Sequence, residues 1–497
     1  MFLTTALFLA LSFSVPFVVA SPSNHQTWQN VSSNPIVELD YGSFLGASSS
    51  QYNLTYYRKI PFAASTSGQN RFRAPQPPLP ITNGTYDTNQ AFDMCPQRTV
   101  NGSEDCLYLG VYSRPWTKTQ QHLRPVLLTF YGGGFIRGSA SFSIPPAGYP
   151  VLNVSSTNDY VVVYSNYRTN VFGFLPGSKI ATHPDVDLNP GLLDQQAALQ
   201  WIQRYIHHFG GDKRNVTIWG QSAGGGSVVA QAIATGNRGK GLFRKALASS
   251  PFWPKTWRYD SAWAEKLYQA TLRDVGCSNA TDEIACLKEV DVQKLRESAL
   301  KMSTSQQYTT ASFTYGPVID TEFLTESLSS VVAAKGRGSG GGGGLNAEMV
   351  LASYNLHEGE NFIPPEFSSQ KNGSDDGFNA STASFSTWLK GFLPDLTPND
   401  LDMVKKIYPE AGVAEEISWN TTFVRAGMVY RDLVLACPAY WLAVAGKAGE
   451  RGKGWLVEYT IDPAKHASDV VYVCSPPMSS STSLYYTRPQ TTYILLT

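Results

Sequence analysis

The chain has 497 residues, and 39 basic side chains balance 39 acidic ones, so its formal net charge is zero. Without a strong net field, the composition disfavours nucleic acids and anionic membranes as partners. Only 16% of the residues are charged and 12% are aromatic, which indicates a large core, and α/β enzymes of this length often fold as one unit.

Residues 1–20 are predicted to be a signal peptide. Residues 2–19 are apolar apart from scattered Ser and Thr, and small side chains at 18–20 offer a cleavage site before Ser21. A membrane anchor is the alternative, but Pro16 interrupts the apolar run and favours cleavage. No later apolar run in the sequence is long enough to span a bilayer.

Six cysteines and ten Asn-x-Ser/Thr sequons are typical of a secreted, glycosylated chain. The sequons are at Asn30, Asn53, Asn83, Asn101, Asn153, Asn215, Asn279, Asn372, Asn379 and Asn420. No Cys-x-x-Cys or His-Glu-x-x-His pattern suggests a metal site, and no cofactor is expected.

Residues 125–130 are an apolar run that predicts a buried strand, and it leads into Gly132, Gly133 and Gly134. Consecutive glycines let backbone N–H groups turn toward a ligand oxygen, so this turn is a candidate oxyanion-binding site. A Gly-rich turn after a strand also suggests dinucleotide binding. However, no Gly-x-Gly-x-x-Gly opens a helix here, and no phosphate loop ending in Gly-Lys-Ser/Thr is present.

Ser222 lies at the centre of a Gly-x-Ser-x-Gly pentapeptide, residues 220–224. The β-branched run 216–219 predicts a strand before it, and residues 227–234 predict a helix after it. A strand, a sharp turn and a helix are the context of a nucleophile elbow, in which a strained turn exposes the serine hydroxyl. The alternative is a Gly-rich turn that happens to hold a serine, and these flanks argue against it.

In hydrolases with this elbow, the acid and then the histidine follow the serine along the chain. Of the seven histidines, only His357 and His466 follow Ser222, and His466 leaves far more room for an acid. His466 is therefore the candidate base by elimination. It follows a strand-like run at 455–460, and a surface histidine is the alternative.

Glu358 has the best context for the acid, because it follows a predicted strand at 349–354. Catalytic groups in α/β sheets sit at the carboxyl ends of strands. Asp320, after the strand-like segment 317–319, is the runner-up. Most other acidic residues in this interval are expected to be solvated surface charges.

Further motifs occur in a fixed order along the chain, at residues 58–63, 71–72, 104–109, 166–168, 172–175, 189, 191–195 and 209–212, and the elbow follows them. With these motifs the chain resembles the type-B carboxylesterase/lipase family, which also holds the cholinesterases, and it resembles the secreted fungal members. The resemblance covers about residues 35–474. It implies an α/β-hydrolase fold, with a mixed, mostly parallel central sheet flanked by helices.

The resemblance also implies roles for single residues. Ser222 is the expected nucleophile, Glu358 the acid and His466 the base. The family's oxyanion hole maps onto Gly133, Gly134 and Ala223, and a serine that supports the acid maps loosely onto Ser249. The family's disulfide loops imply Cys95–Cys106 and Cys277–Cys286, and its buried ion pairs imply Arg71–Glu104 and Arg168–Asp194. Cys437 and Cys474 are either paired or free.

The sequence departs from the family pattern near the site. Tyr131 replaces a histidine that many members have, and Gln221 replaces a glutamate beside the nucleophile. Ala467 replaces the usual glycine after the base. Because the oxyanion donors are backbone groups, the first change is expected to matter little. The loss of the glutamate is expected to affect the pH profile rather than the mechanism.

The resulting expectation is a secreted, extracellular serine esterase that forms an acyl-enzyme with a small-molecule ester and keeps no membrane anchor. Only ten residues separate Cys95 from Cys106, which is too few for the large lid that lipases of this family carry in this loop. An open gorge and soluble or short-to-medium-chain esters are therefore expected. The alternative is a non-catalytic, cholinesterase-like binding domain.

We expect a signal peptide at 1–20, a hydrolase domain at 21–474 and an atypical tail at 475–497. Within the domain, the Gly-rich residues 336–344 and the polar residues 367–384 read as surface loops. Family members continue after the catalytic histidine through a helix that packs on the sheet, whereas this tail is rich in Ser, Thr, Pro and Tyr. The hypothesis is a truncated or mis-spliced form that is poorly stable and weakly active.

Overall fold

A computed structural model of the chain describes residues 34–90, 93–98, 100–119, 122–140, 143–144, 146–154, 159–235, 239–306, 314–336, 345–368, 378–414, 417–447, 452–470 and 494–495. The predicted signal peptide lies outside the described residues. So do Cys474, most of the predicted loop 336–344, half of the predicted loop 367–384, and the predicted tail except for residues 494–495.

Fifteen strands form three sheets in the described part of the chain. In chain order they are β1 Ile36–Leu39, β2 Gly42–Leu45, β3 Ala47–Ser49, β4 Leu54–Pro61, β5 Thr85–Asp87, β6 Tyr108–Ser113, β7 Arg124–Phe130, β8 Val161–Ser165, β9 Gly211–Gln221, β10 Lys245–Ser249, β11 Met349–Asn355, β12 Gly412–Ala414, β13 Ile417–Trp419, β14 Lys453–Tyr459 and β15 Ile494–Leu495.

The helices are α1 Tyr149–Val154, α2 Asn170–Phe174, α3 Ser178–Thr182, α4 Pro190–Tyr205, α5 Ala223–Ile233, α6 Ala262–Val275, α7 Glu283–Glu289, α8 Val292–Gln306, α9 Leu328–Gly336, α10 Thr382–Phe392, α11 Pro398–Ile407, α12 Thr422–Arg431 and α13 Cys437–Lys447. A π-helical turn, Asp432–Ala436, joins α12 to α13. Short 3₁₀ segments include Glu358–Phe362.

The central sheet has ten strands in the order β15-β14-β11-β10-β9-β7-β8-β6-β4-β3. From β14 to β8 all neighbours are parallel, while β6, β4 and β3 at one end and β15 at the other are antiparallel. Strands covered on both faces need near-continuous apolar sequence, and every residue of β6 and β8 is buried. The predicted mixed, mostly parallel sheet is confirmed.

The strand register aligns the carboxyl ends of the four strands that lead into the candidate site. Gln221 of β9 pairs with Ser249 of β10, Ser249 pairs with Ser353 of β11, and Ser353 pairs with Val457 of β14. The segments that follow these strands therefore emerge at one edge of the sheet. Four predicted strands correspond to β7, β9, β11 and β14. The predicted strand at 317–319 is wrong, because only an isolated bridge joins Ile319 to Arg258.

Two buried ion pairs connect the loops that surround the sheet. Arg71 contacts Glu104 through two hydrogen bonds of 2.7 Å, and both side chains are about 95% buried. Arg168 contacts Asp194 through Nε at 2.8 Å and Nη2 at 2.7 Å, with 2% and 0% of the side chains exposed. A buried charge needs a partner, so both predicted pairs are confirmed.

The disulfides Cys95–Cys106 and Cys277–Cys286 are both present, as predicted. Cys437 has no disulfide partner among the described residues, and burial raises the pKa of its thiol. Because Cys474 lies outside the described residues, its pairing with Cys437 stays open.

Within the described ranges, one helical stretch, Thr422–Lys447, is long and apolar enough to cross a membrane by length and composition. The sequence analysis did not recognise this run, because Arg425 and Arg431 interrupt it. Its apolar window is 61% buried inside the protein, as in a core helix, and both arginines are buried as well.

Candidate active site

Ser222 occupies the turn between β9 and α5. Its backbone has φ 60° and ψ −126°, a conformation that is costly for a residue with a side chain. Its carbonyl accepts hydrogen bonds from the N–H groups of Gly226 and Phe252, each at 2.9 Å, and its own N–H donates to Ser249 O at 3.0 Å. The neighbouring strand and helix thus hold the strained turn in place.

Glycine is required on both sides of this serine because the backbones touch. A Cβ added to Gly220 would lie 2.2 Å from the carbonyl of Gly224, and one added to Gly224 would lie 2.2 Å from Phe130 O. Real Cβ atoms do not approach backbone atoms so closely. The strand–turn–helix arrangement predicted for the nucleophile elbow is present, although α5 begins at Ala223 rather than near residue 227.

His466 and Glu358 lie side by side at the carboxyl edge of the sheet. His466 Nδ1 is 2.8 Å from Glu358 Oε2. The other oxygen of the acid, Oε1, accepts a hydrogen bond from the backbone N–H of Asn355 at 2.9 Å, and Glu358 is fully buried. A buried carboxylate with these contacts presents an acceptor to Nδ1 and so favours the imidazole tautomer that keeps a lone pair on Nε2.

The loop that carries His466 is attached to the segment that carries the acid. The backbone N–H of His466 donates to Asn361 Oδ1 at 3.0 Å, and Asn355 Nδ2 donates to Lys465 O at 2.8 Å. Lys465 also forms an ion pair with Glu360. These contacts fix His466 relative to Glu358. They were not predicted, because asparagines far apart in the sequence give no local signal.

A second carboxylate lies close to this pair. Asp469 accepts a hydrogen bond from Asn355 Nδ2 at 3.1 Å. Burial raises the pKa of Asp469, and the charge of Glu358 raises it further, while the hydrogen bond from Asn355 and the neighbouring His466 oppose the shift. The sequence analysis did not single out Asp469 as a functional residue.

Asp320, the runner-up for the acid, has a different environment. Its Oδ1 accepts hydrogen bonds from the backbone N–H groups of Glu322, Phe323 and Leu324 at 2.7–2.9 Å. Its Oδ2 accepts one from Asn189 Nδ2 at 2.7 Å. The carboxylate therefore organises its own loop and contacts no histidine among the described residues.

Ser249 does not contact the acid, in contrast to the loose family match. Its hydroxyl accepts a hydrogen bond from Trp219 Nε1 at 3.2 Å. The group that does support the Glu358 carboxylate is the Asn355 backbone N–H. The Asn355 amide in turn contacts the loop of His466, so Asn355 connects Glu358 with the loop that carries His466.

The glycine turn after β7 lies directly beside the elbow. A Cβ added to Gly132 would be 3.0 Å from Ser222 Cβ. Gly133 and Gly134 have φ of 113° and 65°, which glycine adopts readily. Within the described ranges neither N–H has an acceptor, and the Ala223 N–H, in the first turn of α5, has none either. The three expected oxyanion donors are thus free.

Tyr131 anchors the start of this turn. Its ring stacks on Tyr167 with centroids 4.2 Å apart, and Tyr167 OH donates to Tyr131 O at 2.8 Å. The replacement of the family's usual histidine therefore leaves the turn attached to the core.

Gln221, the residue before the nucleophile, contacts the base. Its Nε2 is 3.2 Å from His466 Nε2, across 245 residues of sequence. The Phe362 ring packs edge-on against the imidazole, with centroids 5.0 Å apart. Among the described residues, Ser222 Oγ makes no hydrogen bond, so the amide of Gln221 takes the place next to Nε2 in this state.

A small cavity of about 30 Å³ lies beside Phe135, which follows Gly134. Aromatic side chains that include Trp253 and Trp257 line it together with polar ones, Lys255 and Thr256. A larger cavity of about 440 Å³ is lined in part by Asp320 and Tyr259, and it includes none of the three predicted catalytic residues. The part of the chain that the structure describes contains no cluster of His, Cys, Asp and Glu side chains suited to a metal ion.

Comparison with protein families gives a match over nearly the whole chain. The model of the carboxylesterase family matches residues 33–492, which extends past residue 474, where the sequence alone ceases to resemble the family.

Two fungal proteins are similar in sequence. The chain is 32% identical over 349 residues to the secreted triacylglycerol lipase LIP1 of Gibberella zeae, a match that covers 64% of this chain and 57% of that lipase. It is 27% identical over 519 residues to the carboxylesterase patB of Aspergillus clavatus, which covers 94% of this chain and 86% of that enzyme. The chain thus spans under two thirds of LIP1 and most of patB.

Solved structures show the same fold. The crystal structure of Aspergillus niger EstA matches with a TM-score of 0.74 and 26% identity, over 91% of this chain and 84% of EstA. A structure titled PNB esterase matches with a TM-score of 0.68 and 25% identity, over 88% of this chain and 85% of that one. These matches confirm the predicted α/β-hydrolase fold.

Proposed function

The chain belongs to the carboxylesterase family of carboxylic ester hydrolases, as its motifs predicted, and from this premise we propose that it hydrolyses esters through an acyl-enzyme on Ser222. The observation that carries the proposal is the position of His466. One ring nitrogen contacts the buried acid Glu358, and the other contacts the residue next to the nucleophile. Glu358, His466 and the residue before Ser222 are therefore in contact at one edge of the sheet, which supports these proposed roles.

The proposed reaction proceeds in two halves. Ser222 Oγ attacks the ester carbonyl carbon while His466 Nε2 takes the hydroxyl proton, and Glu358 stabilises the resulting imidazolium through Nδ1–H. The imidazolium then gives its proton to the departing alcohol. A water molecule, deprotonated by the same histidine, attacks the acyl group, and the carboxylic acid leaves as Ser222 regains its proton.

The proposed oxyanion hole consists of the N–H groups of Gly133, Gly134 and Ala223. Negative charge develops on the carbonyl oxygen when Oγ attacks, and donors that are already free and fixed stabilise this charge without reorganisation. This assignment of the oxyanion hole is supported because, within the described ranges, none of the three N–H groups donates to a protein acceptor. The loss of one such donor typically lowers turnover by about 10²–10³.

A non-catalytic binding domain, the alternative function, has no observation in its favour. Domains of that kind need no nucleophile in a strained turn, and strain of this type is usually kept only where it serves a function. Here the strained serine lies beside a free glycine turn and a histidine–carboxylate pair.

The direct test compares purified wild type with Ser222→Ala in the hydrolysis of p-nitrophenyl acetate. Ser222→Ala should lower kcat by about 10⁴–10⁶ without a change in thermal stability. Ser329→Ala, at an exposed serine of α9, is the matched control and should keep full activity. Mass spectrometry after a fluorophosphonate should find the label on Ser222. Turnover that survives in Ser222→Ala would contradict the proposal.

We propose that the substrates are soluble or short-to-medium-chain esters. The support is the short Cys95–Cys106 loop, which is too small for a large lid. The test is the rate as an ester passes its solubility limit. We expect saturation below the limit and no increase above it, whereas a sharp rise on emulsification would indicate a lipase.

We propose that the protein acts outside the cell on small-molecule esters, with no nucleic acid partner and no membrane anchor after cleavage at residue 20. Relatives named as secreted support this, as do the two disulfides, which form in oxidising compartments. Six sequons are described and exposed, as glycosylation of a secreted chain requires: Asn53, Asn83, Asn101, Asn153, Asn279 and Asn420.

We propose that residues 1–20 are a signal peptide and that residues 21–474 are the catalytic unit. Deletion of residues 2–20 should therefore abolish secretion, and continued secretion would contradict the signal peptide.

A further inference from the structure

The amide of Gln221 sits between the base and the glycine turn. Gln221 Nε2 is 3.2 Å from His466 Nε2, while its Oε1 lies on the side of Gly132, where an added Cβ would be 3.3 Å away. Gln221 is the last residue of β9 and directly precedes Ser222, so one strand fixes both the amide and the nucleophile. This side chain is therefore held at the point where the proton transfer takes place.

Hydrogen-bond chemistry determines what this contact means. The amide nitrogen is only a donor, so the contact with Nε2 requires a lone pair on Nε2 and the ring proton on Nδ1. Nδ1 faces the Glu358 carboxylate at 2.8 Å, and a carboxylate needs a donor there. Both contacts select the same tautomer, which is the one that a general base needs.

We propose that Gln221 is a positioning residue for the base: in the free enzyme its amide N–H holds the single Nε2 lone pair of His466 and so fixes the ring until the Ser222 hydroxyl displaces the amide, and the neutral amide adds no negative charge at Nε2. This role rests on the proposed function, in which His466 is the base. When His466 becomes cationic, the amide turns by about 180° and presents Oε1 to Nε2–H, because two N–H groups otherwise face each other. A glutamine satisfies both states, whereas a glutamate satisfies only the cation.

The remaining charged groups around the base belong to its own loop and to the segment of the acid: Glu358, Glu360, Lys465 and Asp469. Glu360 forms an ion pair with Lys465 and also contacts the imidazole of His357, at 3.0 Å from Nδ1. Glu358 and Asp469 both act from the side of Nδ1 and Asn355, not from the side of Nε2. On the Nε2 side of the ring, Gln221 is the residue with a polar contact to the imidazole among the described residues.

The first test uses two near-isosteric variants. Gln221→Glu places an anion at Nε2, so the acidic limb of kcat/KM against pH should move up by about 1–2 pH units. Gln221→Met removes the hydrogen bond without adding charge, so kcat should fall about tenfold, KM should stay within about twofold, and the acidic limb should not move. The same two changes at the exposed Gln90 are the matched controls and should leave the profile unchanged.

A second measurement does not depend on turnover. Nitrogen-15 NMR of histidine-labelled protein, assigned by comparison with His466→Gln, reports which ring nitrogen carries the proton. We expect Nδ1–H with an unprotonated Nε2 in the wild type, and a cationic ring at the same neutral pH in Gln221→Glu. Superimposed pH profiles for wild type and Gln221→Glu, or an Nε2–H tautomer in the wild type, would overturn the role of Gln221. An inactive wild type with the expected tautomer would refute the proposed function alone.

Discussion

Replacement of Glu358 by Gln tests how the acid sets the tautomer of the base, and the structure dictates how the new amide must lie. Glu358 Oε1 accepts the Asn355 N–H at 2.9 Å and Oε2 faces His466 Nδ1 at 2.8 Å. In the variant, the amide oxygen must stay with the Asn355 N–H. The amide nitrogen then points at Nδ1, which accepts only if the ring proton moves to Nε2.

The opposite orientation of the amide would place two buried donors against each other. Such an unsatisfied pair costs about 1–3 kcal/mol, so the correct tautomer is populated about 10–100-fold less than in the wild type. The neutral amide also stabilises the imidazolium less than a carboxylate does. From these two effects combined, we expect kcat for p-nitrophenyl acetate to fall about 10⁴-fold, which raises the activation free energy by about 5 kcal/mol. This decrease is smaller than the one expected when the Ser222 hydroxyl is removed.

Asp320→Asn and Asp469→Asn are the matched controls, because each removes one negative charge, buried at Asp320 and half-buried at Asp469, without touching His466 Nδ1. Both should keep kcat within about tenfold of the wild type. Circular dichroism and thermal melting would show that each variant is folded. A Glu358→Gln enzyme with kcat within tenfold of the wild type, or an Asp320→Asn enzyme with the larger loss, would refute the assignment of the acid.

Three further predictions concern stability. Arg168→Met leaves Asp194 buried and unpaired, so the free energy of unfolding, measured by denaturant titration, should fall by about 3–5 kcal/mol. The control Arg214→Met, at an exposed ion pair, should leave the denaturation midpoint unchanged. In an ordinary helix, Gly224→Ala would be stabilising by about 1 kcal/mol. Here the new Cβ would lie 2.2 Å from Phe130 O, so we expect little soluble, folded protein. A normal yield and melting temperature would contradict this expectation. The pKa of Asp469 is raised in the folded chain, so the ionised carboxylate destabilises the fold above that pKa. Asp469→Asn removes this charge and should raise the melting temperature at neutral pH. Below about pH 3.9, the pKa of an unfolded aspartate, the variant should melt at the same temperature as the wild type.

The features that sequence reasoning recovered depend on neighbours along the chain. The apolar run before the glycine turn predicts β7, and the strand–serine–glycine pattern predicts the turn at Ser222, because each signal lies within about ten residues. The start of α5 was misplaced for the opposite reason. Three successive glycines, residues 224–226, disfavour a helix by intrinsic propensity, yet close packing against Phe130 and Phe252 leaves no room for larger side chains there.

The choice between two candidate acids shows where local reasoning ends. Glu358 and Asp320 both follow apolar segments, so the local context favoured Glu358 but kept Asp320 as the runner-up. What separates them is long-range pairing. Met349–Asn355 joins the central sheet as β11 and delivers Glu358 to His466, whereas the segment before Asp320 makes a single bridge outside the sheet. The Gln221–His466 contact, across 245 residues, is equally invisible to any window of sequence.

The relative position of nucleophile and base therefore depends on the register of the sheet. Gln221, Ser249, Ser353 and Val457 form one row across four parallel strands, and Ser222, Glu358 and His466 all come after this row in their segments. A shift of one residue between β11 and β14 would move the base segment by about 3.3 Å, and misplacement by about 1 Å already costs an enzyme about 10²-fold in rate. The contacts of Asn355, Asn361 and Lys465 tie the base to the acid but not to Ser222. Gln221, at the end of the strand that leads into Ser222, links this strand to His466 through its side chain among the described residues. This amide and the sheet register together position His466 beside the turn of Ser222.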